Sequence, residues 1–439
     1  MDTVLGAEIH GADEAANPCM LDPVTKCAIF GISQVVGEIR GGAVLVHGPK
    51  GCAFPAFEAT HLSQVSFNYS EMCEKSVIFG GEELLRLKLW ETYRDNDSSL
   101  LGVISTCSSE IIGDDIVGVM ASANLPVPTL KFEGAGFKRN HRQAVDYAME
   151  TLLKEFLAPS GTSDGSVNLL CHVSSHSRWK DDCAQLEAML GGFGVPVRKL
   201  FLDNELDDLR QASAATLSVL AAPDVGEGAA RLLQRKANIP FIAPLPPIGM
   251  ERSVNWLLEV AQALGKSLTR TEVDQLAEAT RRRFLNGLGR VISQRPFDKI
   301  RTCKIAIVAE PVLAEGYAHL LARELEGVPA LVVLRTTNPE DESIRALADR
   351  LPRKTRVVVS GDNARILDEL NAIKPDILLG SDLDYITYRG LGKDAKVAFV
   401  GIAQPSTRRL FLNPRSYWGF DGALNFIEDL VNAVTETHN

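Results

Sequence analysis

Three cysteines of this chain sit in settings that side-chain packing alone does not ask for. They read CAIFG at Cys27, HGPKGCA at Cys52 and STCSSEIIGDD at Cys107, and the last two each follow a short apolar run. Thiolates are soft ligands that suit iron–sulfur clusters better than hard cations. Gly48, Pro49 and Gly51 surround Cys52. Glycine lets backbone approach a bulky group, and backbone N–H groups can donate to cluster sulfurs and tune a potential. The three lie too far apart in sequence for a local CxxC clip. Free cysteine is also among the most buried residue types, so plain burial is the competing reading. Three thiolates could terminate half of an eight-iron cluster or most of a [4Fe-4S] one.

Such ligands need elements to hold them. From Gly42 the run GAVLVHG reads as a buried strand, and LLGVIST before Cys107 reads as a second. SSEIIGDDIVGVMASA then has helical spacing, with Ser108 or Ser109 placed to cap its N-terminus. Strand, ligand-bearing turn and helix in succession describe the carboxyl edge of a parallel sheet, where binding sites form.

The rest of the chain repeats that alternation. Residues 1–26 read as an irregular N-terminal arm, and 27–160 as the cluster-binding α/β domain. The polar link APSGTSDGS at 158–166 leads into a second α/β domain at 161–300. There VNLLCHV, VPVRKLF, TLSVLAA and IPFIAP alternate with helical stretches, followed by a helical connector from Glu251 to about Ser293. A third α/β domain, 301–439, begins at CKIAIVAE and ends in the helical GALNFIEDLVNAVTET. The expected fold class is α/β, with three doubly wound, Rossmann-like parallel-sheet domains.

Composition narrows the function. The 439 residues carry a net charge of −10 with no basic patch, which argues against nucleic-acid binding. The acidic start MDTVLGAEIHGADEAANP is unlike a secretory signal, and no stretch approaches the ~18 apolar residues of a membrane span. A cytoplasmic location is expected, where eight cysteines point to metal ligation or burial rather than disulfides.

Other constellations carry less. CHVSSHSRWKDDC brings Cys171, His172, His176 and Cys183 together, but strand alternation sends Cys171 and His172 to opposite faces while Cys183 belongs to the next helix. GKS at 265–267 resembles a phosphate loop, yet Val260 stands where GxxxxGK[ST] needs its first glycine. Glu110, Asp114 and Asp115 read as a helix turn rich in acid rather than as an acid/base pair.

HGPKGC, EKSVIFGGEE at 74–83 and STCSSEIIGDD resemble the corresponding segments of nitrogenase component 1 and its relatives, and RSYWGFDGALNFIEDLVNAV at 415–434 is similar to the end of the β subunit in particular. The resemblance runs from Cys27 to the last helix. It implies the nitrogenase component 1 fold and a homologous α-type partner in an α2β2 heterotetramer. It also implies a shared [8Fe-7S] P-cluster, whose thiolates on this side would be Cys27, Cys52 and Cys107, and an ATP-dependent [4Fe-4S] iron-protein homodimer as electron donor. The positions matching the cofactor-binding cysteine and histidine of the α-type subunit fall near Ala221–Pro223 and Ala403–Pro405, which offer neither residue. The resemblance therefore places the catalytic cofactor on the partner. Lys131 stands where the nitrogenase β subunit has a serine that can join the cluster. Cys73 stands where the molybdenum β subunit has no cysteine, and burial is its expected role.

The short N-terminal arm and the complete cysteine set are most similar to a nitrogenase-like methylthio-alkane reductase. Nitrogenase itself, the tetrapyrrole reductases of the superfamily and a cofactor-maturation scaffold are the alternatives.

Overall fold

The computed structural model of the chain describes residues 9–10, 26–61, 66–96, 98–159, 161–171, 178–288, 295–336, 342–391 and 396–438. Fourteen strands among them form three sheets, and every pairing within a sheet is parallel. Strand β1 (Ile9–His10) belongs to the last of these. The first sheet comprises β2 (Gly42–His47), β3 (Ser66–Tyr69), β4 (Leu100–Ser105) and β5 (Thr129–Glu133), in the order β3-β2-β4-β5. The second holds β6 (Val167–Leu170), β7 (Val197–Leu200), β8 (Leu217–Leu220) and β9 (Phe241–Ile242), in the order β7-β6-β8-β9. The third adds β10 (Ile305–Ala309), β11 (Leu331–Leu334), β12 (Arg356–Val359), β13 (Ile377–Gly380) and β14 (Ala398–Gly401), in the order β1-β12-β11-β10-β13-β14.

Central strands are aliphatic because helices cover both faces. All six residues of β2 and of β4 are buried, and a fully buried Val, Leu or Ile contributes about 1.5–3 kcal/mol. The two strands of the first sheet that sequence periodicity passes over, β3 and β5, are its edges. Their residues SFNY and TLKFE are almost all half-buried, so neither shows an apolar run. Ile9 and His10, in the stretch expected to be irregular, pair with Val357 and Val358 at the edge of the third sheet.

The expected long helix after Cys107 is two helices. Gly113, in the left-handed region at φ 78°, ends Cys107–Ile112, and Asp115 caps Ile116–Ala123 by accepting from Gly118 N at 2.9 Å. The cap of the first is Thr106, not Ser108 or Ser109. Its Oγ1 accepts from Ser109 N while Ser109 Oγ accepts from Thr106 N, a reciprocal pair. The connector is likewise divided, into Met250–Ala263 and Arg270–Leu288, and Ser293 lies outside the described residues. GKS follows the C-terminal end of the first of these, with Gly265 at φ 66°. A phosphate loop needs the start of a helix after a strand, so this segment is not one.

The sheets share cores. One apolar cluster joins the helices of the first sheet to the second, and another runs from the second into the third. At their carboxyl edges an ionic junction connects all three. Arg142, in the first turn of helix His141–Phe156, contacts Asp224 after β8 at 3.0 Å and donates from Nε to Glu310 after β10 at 3.1 Å. Ala221, Ala222 and Ala403 are buried in the core.

A candidate cluster-binding face

Each of the three cysteines begins a helix. Cys27 is the extended N-cap residue of Ala28–Gly37, Cys52 lies in the first turn of Lys50–His61, and Cys107 is the first residue of its helix. A helix N-terminus presents backbone N–H donors, the kind of group that tunes cluster sulfurs. Strands β2 and β4 pair from Gly42↔Leu100 to His47↔Ser105, which brings the Cys52 and Cys107 turns side by side at one sheet edge. Cys27 reaches the same place through a bridge to Asn140, at the end of the 134–140 loop that follows β5.

The thiols feel one another. Burial pushes the Cys52 thiol above its ordinary value, and the neighbouring Cys107 and Cys27 push it further. Three thiolates crowded together repel, and binding a cationic group there relieves that repulsion. Cys27 and Cys52 are half-buried against the apolar core of the first sheet, whereas Cys107 is exposed. Gly136 N donates to Cys107 Sγ at 3.3 Å, the kind of backbone donor that tunes cluster sulfurs. A Cβ built on Gly51 or on Gly136 meets nothing within 4 Å, so there is open space beside both cysteines. Among the described residues no three His, Cys, Asp or Glu side chains close on a single metal ion. The donor set and the open face fit a larger soft group with thiolate ligands spread over one surface.

That face is apolar beyond the cysteines. Ile111, on the Cys107 helix, is 74% exposed, and Phe137, beside Gly136, is 62% exposed. Phe54 and Phe57 on the Cys52 helix are exposed as well. Large apolar side chains clustered on a surface mark an interaction site.

Charge lies behind the ligands. Glu110 accepts from Ser105 Oγ and from Lys138 Nζ at 2.7 Å, and Lys138 also reaches Glu133 at 3.1 Å. Burial works against the Glu110 carboxylate, but Lys138 and Ser105 hold it below the usual carboxylate range, with Lys131 adding to the effect. Lys131 therefore lies within electrostatic reach of the residue three past Cys107, on β5.

Cys73 corrects an expectation. It is exposed rather than buried, at the N-cap of Glu74–Phe79, with Sγ 3.5 Å from Ser76 Oγ. The Ser76 hydroxyl and the first backbone amides of the helix lower its thiol from the ordinary value. Iodoacetamide is therefore expected to label Cys73 of the purified chain before Cys303, whose thiol burial raises. Labelling should persist below about pH 8, where an ordinary cysteine of pKa about 8.5 loses reactivity. Peptide mapping that found Cys303 labelled as fast would contradict this.

The tempting zinc-like group is core. Cys171 and Cys183 are fully buried, Cys183 Sγ donates to Cys171 O at 2.7 Å, and burial raises the Cys183 thiol far above its ordinary value. His172 and His176 lie outside the described residues.

Sequence reasoning missed a buried polar group behind the cysteines. His47 Nε2 bonds Asp114 Oδ2 at 2.8 Å and Nδ1 bonds Ser70 Oγ at 2.9 Å. His47 ends a strand read as apolar, and Asp114 looked like first-turn acid. A histidine closing an all-aliphatic strand was the available signal, since a buried ring needs partners on both nitrogens.

Comparison with known proteins agrees with this architecture. The family model described as nitrogenase component 1 type oxidoreductase matches residues 27–435. The nitrogenase molybdenum-iron protein beta chain of Methanococcus maripaludis is 23% identical, with 95% of each chain covered. The nitrogenase vanadium-iron protein beta chain of Trichormus variabilis is 24% identical, with 94% of each covered. A solved structure titled nitrogenase Cp1 at pH 6.5 superposes with a TM-score of 0.78 at 16% identity, covering 98% of this chain and 95% of that one. With a match extending over nearly its whole length, the chain belongs to the nitrogenase component 1 type oxidoreductase family.

Proposed function

We propose that this chain is the β-type, electron-relaying subunit of a nitrogenase-like reductase. Cys27, Cys52 and Cys107 would supply its thiolates to an iron–sulfur cluster shared with a homologous α-type subunit, an [8Fe-7S] P-cluster rather than a [4Fe-4S] one. The observation that carries this is the exposed apolar face at one sheet edge where three cysteines, each in the first turn or at the cap of a helix, come together, with Cys107 and Cys27 close enough to add to the rise that burial gives the Cys52 thiol. Half a ligand set beside exposed phenylalanines is what one side of a bridged interface presents. When bound, such a cluster stores an electron and passes it on.

The residues of this chain hold and tune. Thr106 and Gly113 fix the length and direction of the Cys107 helix, and Gly136 N donates to the thiolate. Lys138 and Arg139 pair with Glu110 and Glu133 behind it, and Lys131 lies within reach of Glu110. Lys131 offers no hydroxyl to replace a thiolate on oxidation, and redox-linked serine ligation is absent from our reading. The places matching the α-type cofactor ligands, Ala221–Pro223 and Ala403–Pro405, hold no cysteine or histidine, so we assign the catalytic cofactor to the partner.

The electron donor in this reading is an ATP-dependent iron protein. The reaction we assign to the complex is reductive carbon–sulfur cleavage of methylthio-alkanes, in an α2β2 assembly in the cytoplasm. Two electrons and two protons convert dimethyl sulfide to methane and methanethiol. Reduction of dinitrogen is the competing reaction, because full-length relatives are nitrogenase beta chains. The complex reconstituted anaerobically with its iron protein and ATP should release methane from dimethyl sulfide and no ammonia from dinitrogen. Ammonia without methane would reverse the assignment, and a complex with no redox-dependent EPR signal would overturn the relay itself.

A further inference from the structure

Behind the cysteine face, His47, Ser70 and Asp114 form a closed polar group in an apolar wall. The side chain of His47 is fully buried and that of Asp114 is 4% exposed. Gly48 N donates to Ser70 Oγ at 3.0 Å, so the serine hydroxyl has its own proton free for His47 Nδ1. The ring then carries its proton on Nε2 and donates to Asp114. Burial lowers the His47 pKa despite Asp114, in keeping with a neutral imidazole. The second carboxylate oxygen accepts from Gly81 N at 3.0 Å.

What these contacts join is specific. His47 ends β2, five residues before Cys52, and its carbonyl accepts from Thr106 Oγ1 at 3.0 Å, immediately before Cys107. Asp114 follows the turn that ends the Cys107 helix. The His47–Asp114 bond is therefore a strut between the two ligand-bearing elements, and Ser70 and Gly81 fasten the intervening 70–81 segment to it. Glycines keep the parts in contact. A Cβ on Gly48 would overlap Thr106, and one on Gly81 would come within 2.8 Å of both His47 Cε1 and Asp114 Oδ2. Nothing in packing requires a histidine and a carboxylate here.

We propose that the buried His47–Asp114 strut is the positioning element that fixes Cys52 relative to Cys107 and sets the charge felt by the group they hold. The inference rests on the electron-relay reading above. His47 and Asp114 touch no ligand sulfur, so they act through the segments they join. A carboxylate in a low-dielectric wall disfavours adding an electron nearby, so it holds the potential down.

The test uses the assembled complex, purified anaerobically and titrated with redox mediators while EPR is recorded. Asp114→Asn removes the charge but keeps the shape. It is expected to retain iron and move the midpoint potential to a more positive value. His47→Leu breaks the strut and should broaden the EPR signal and lower iron content severalfold. His47→Gln, which places an amide donor where Nε2 stood, should restore both. Should His47→Leu fail to assemble, Asp114→Asn decides alone. An unchanged potential in Asp114→Asn, or a His47→Leu complex with wild-type iron and line shape, overturns the proposal. A wild-type complex without any such signal would instead defeat the relay reading, before a variant is compared.

Discussion

Replacing Cys107 with alanine is expected to strip the purified complex of its shared iron while leaving this chain folded. Cys107 is exposed, and its thiol makes one weak contact, accepting from Gly136 N at 3.3 Å. Loss of such a side chain changes the stability of the subunit itself by no more than about 0.5 kcal/mol. The helix it begins is secured by the Thr106–Ser109 pair and not by the thiol. Metal retention is another matter. Weakening only the outer partners of a metal ligand costs about 10–100-fold in affinity, and removing the ligand itself should exceed that. Because a bridged site couples binding to assembly, the pairing of subunits should loosen together with iron loss. Iron per complex and gel-filtration mass measure the two outcomes. A Cys107→Ala complex with full iron content would sink the ligand assignment, whereas an unfolded chain would contradict the local structure described here.

Asp182→Ala is expected to have the opposite profile: no direct effect on the cysteine face and a large loss of stability. Asp182 lies in the first turn of helix Trp179–Gly191 and is fully buried. Its Oδ1 accepts from Ser416 Oγ at 2.7 Å, Tyr417 N at 2.8 Å and Trp418 N at 3.2 Å. This one oxygen fastens the RSYWGFDG segment, whose Tyr417 and Trp418 are buried, to the second sheet's helices. Each buried donor left unsatisfied costs about 1–3 kcal/mol, so the alanine variant should lose roughly 3–5 kcal/mol. Asp182→Asn retains an acceptor at the same place and should recover most of the loss. Urea unfolding compares the three chains, and an alanine variant within about 1 kcal/mol of wild type would refute the role given to this carboxylate.

Particular elements show why some of this was legible beforehand. β2 and β4 read directly as strands because both faces are covered and each is a run of aliphatic residues and glycine up to the closing His47 or Ser105. The edge strands β3 and β5 escaped because a half-buried strand carries no continuous apolar run. SSEIIGDDIVGVMASA has one helical period, yet Gly113 and an Asp115 cap divide it, and only the left-handed backbone at Gly113 reveals the break. Cys73 was expected to be buried on residue type alone. Its exposure follows from the direction of a six-residue helix whose other end carries the exposed Phe79.

The sequence by itself determined the alternation of buried strands and helices, and the placement of cysteines on turns at strand ends. Both are local properties, fixed by period and by residue type. Tertiary structure alone decided that the turns meet on one exposed face, because parallel register between β2 and β4 brings distant residues side by side. It also decided that His47 and Asp114, 67 residues apart, are one object. A hydrogen bond between two buried side chains leaves no periodic trace in a sequence, since its only requirement is that two ends arrive at the same point.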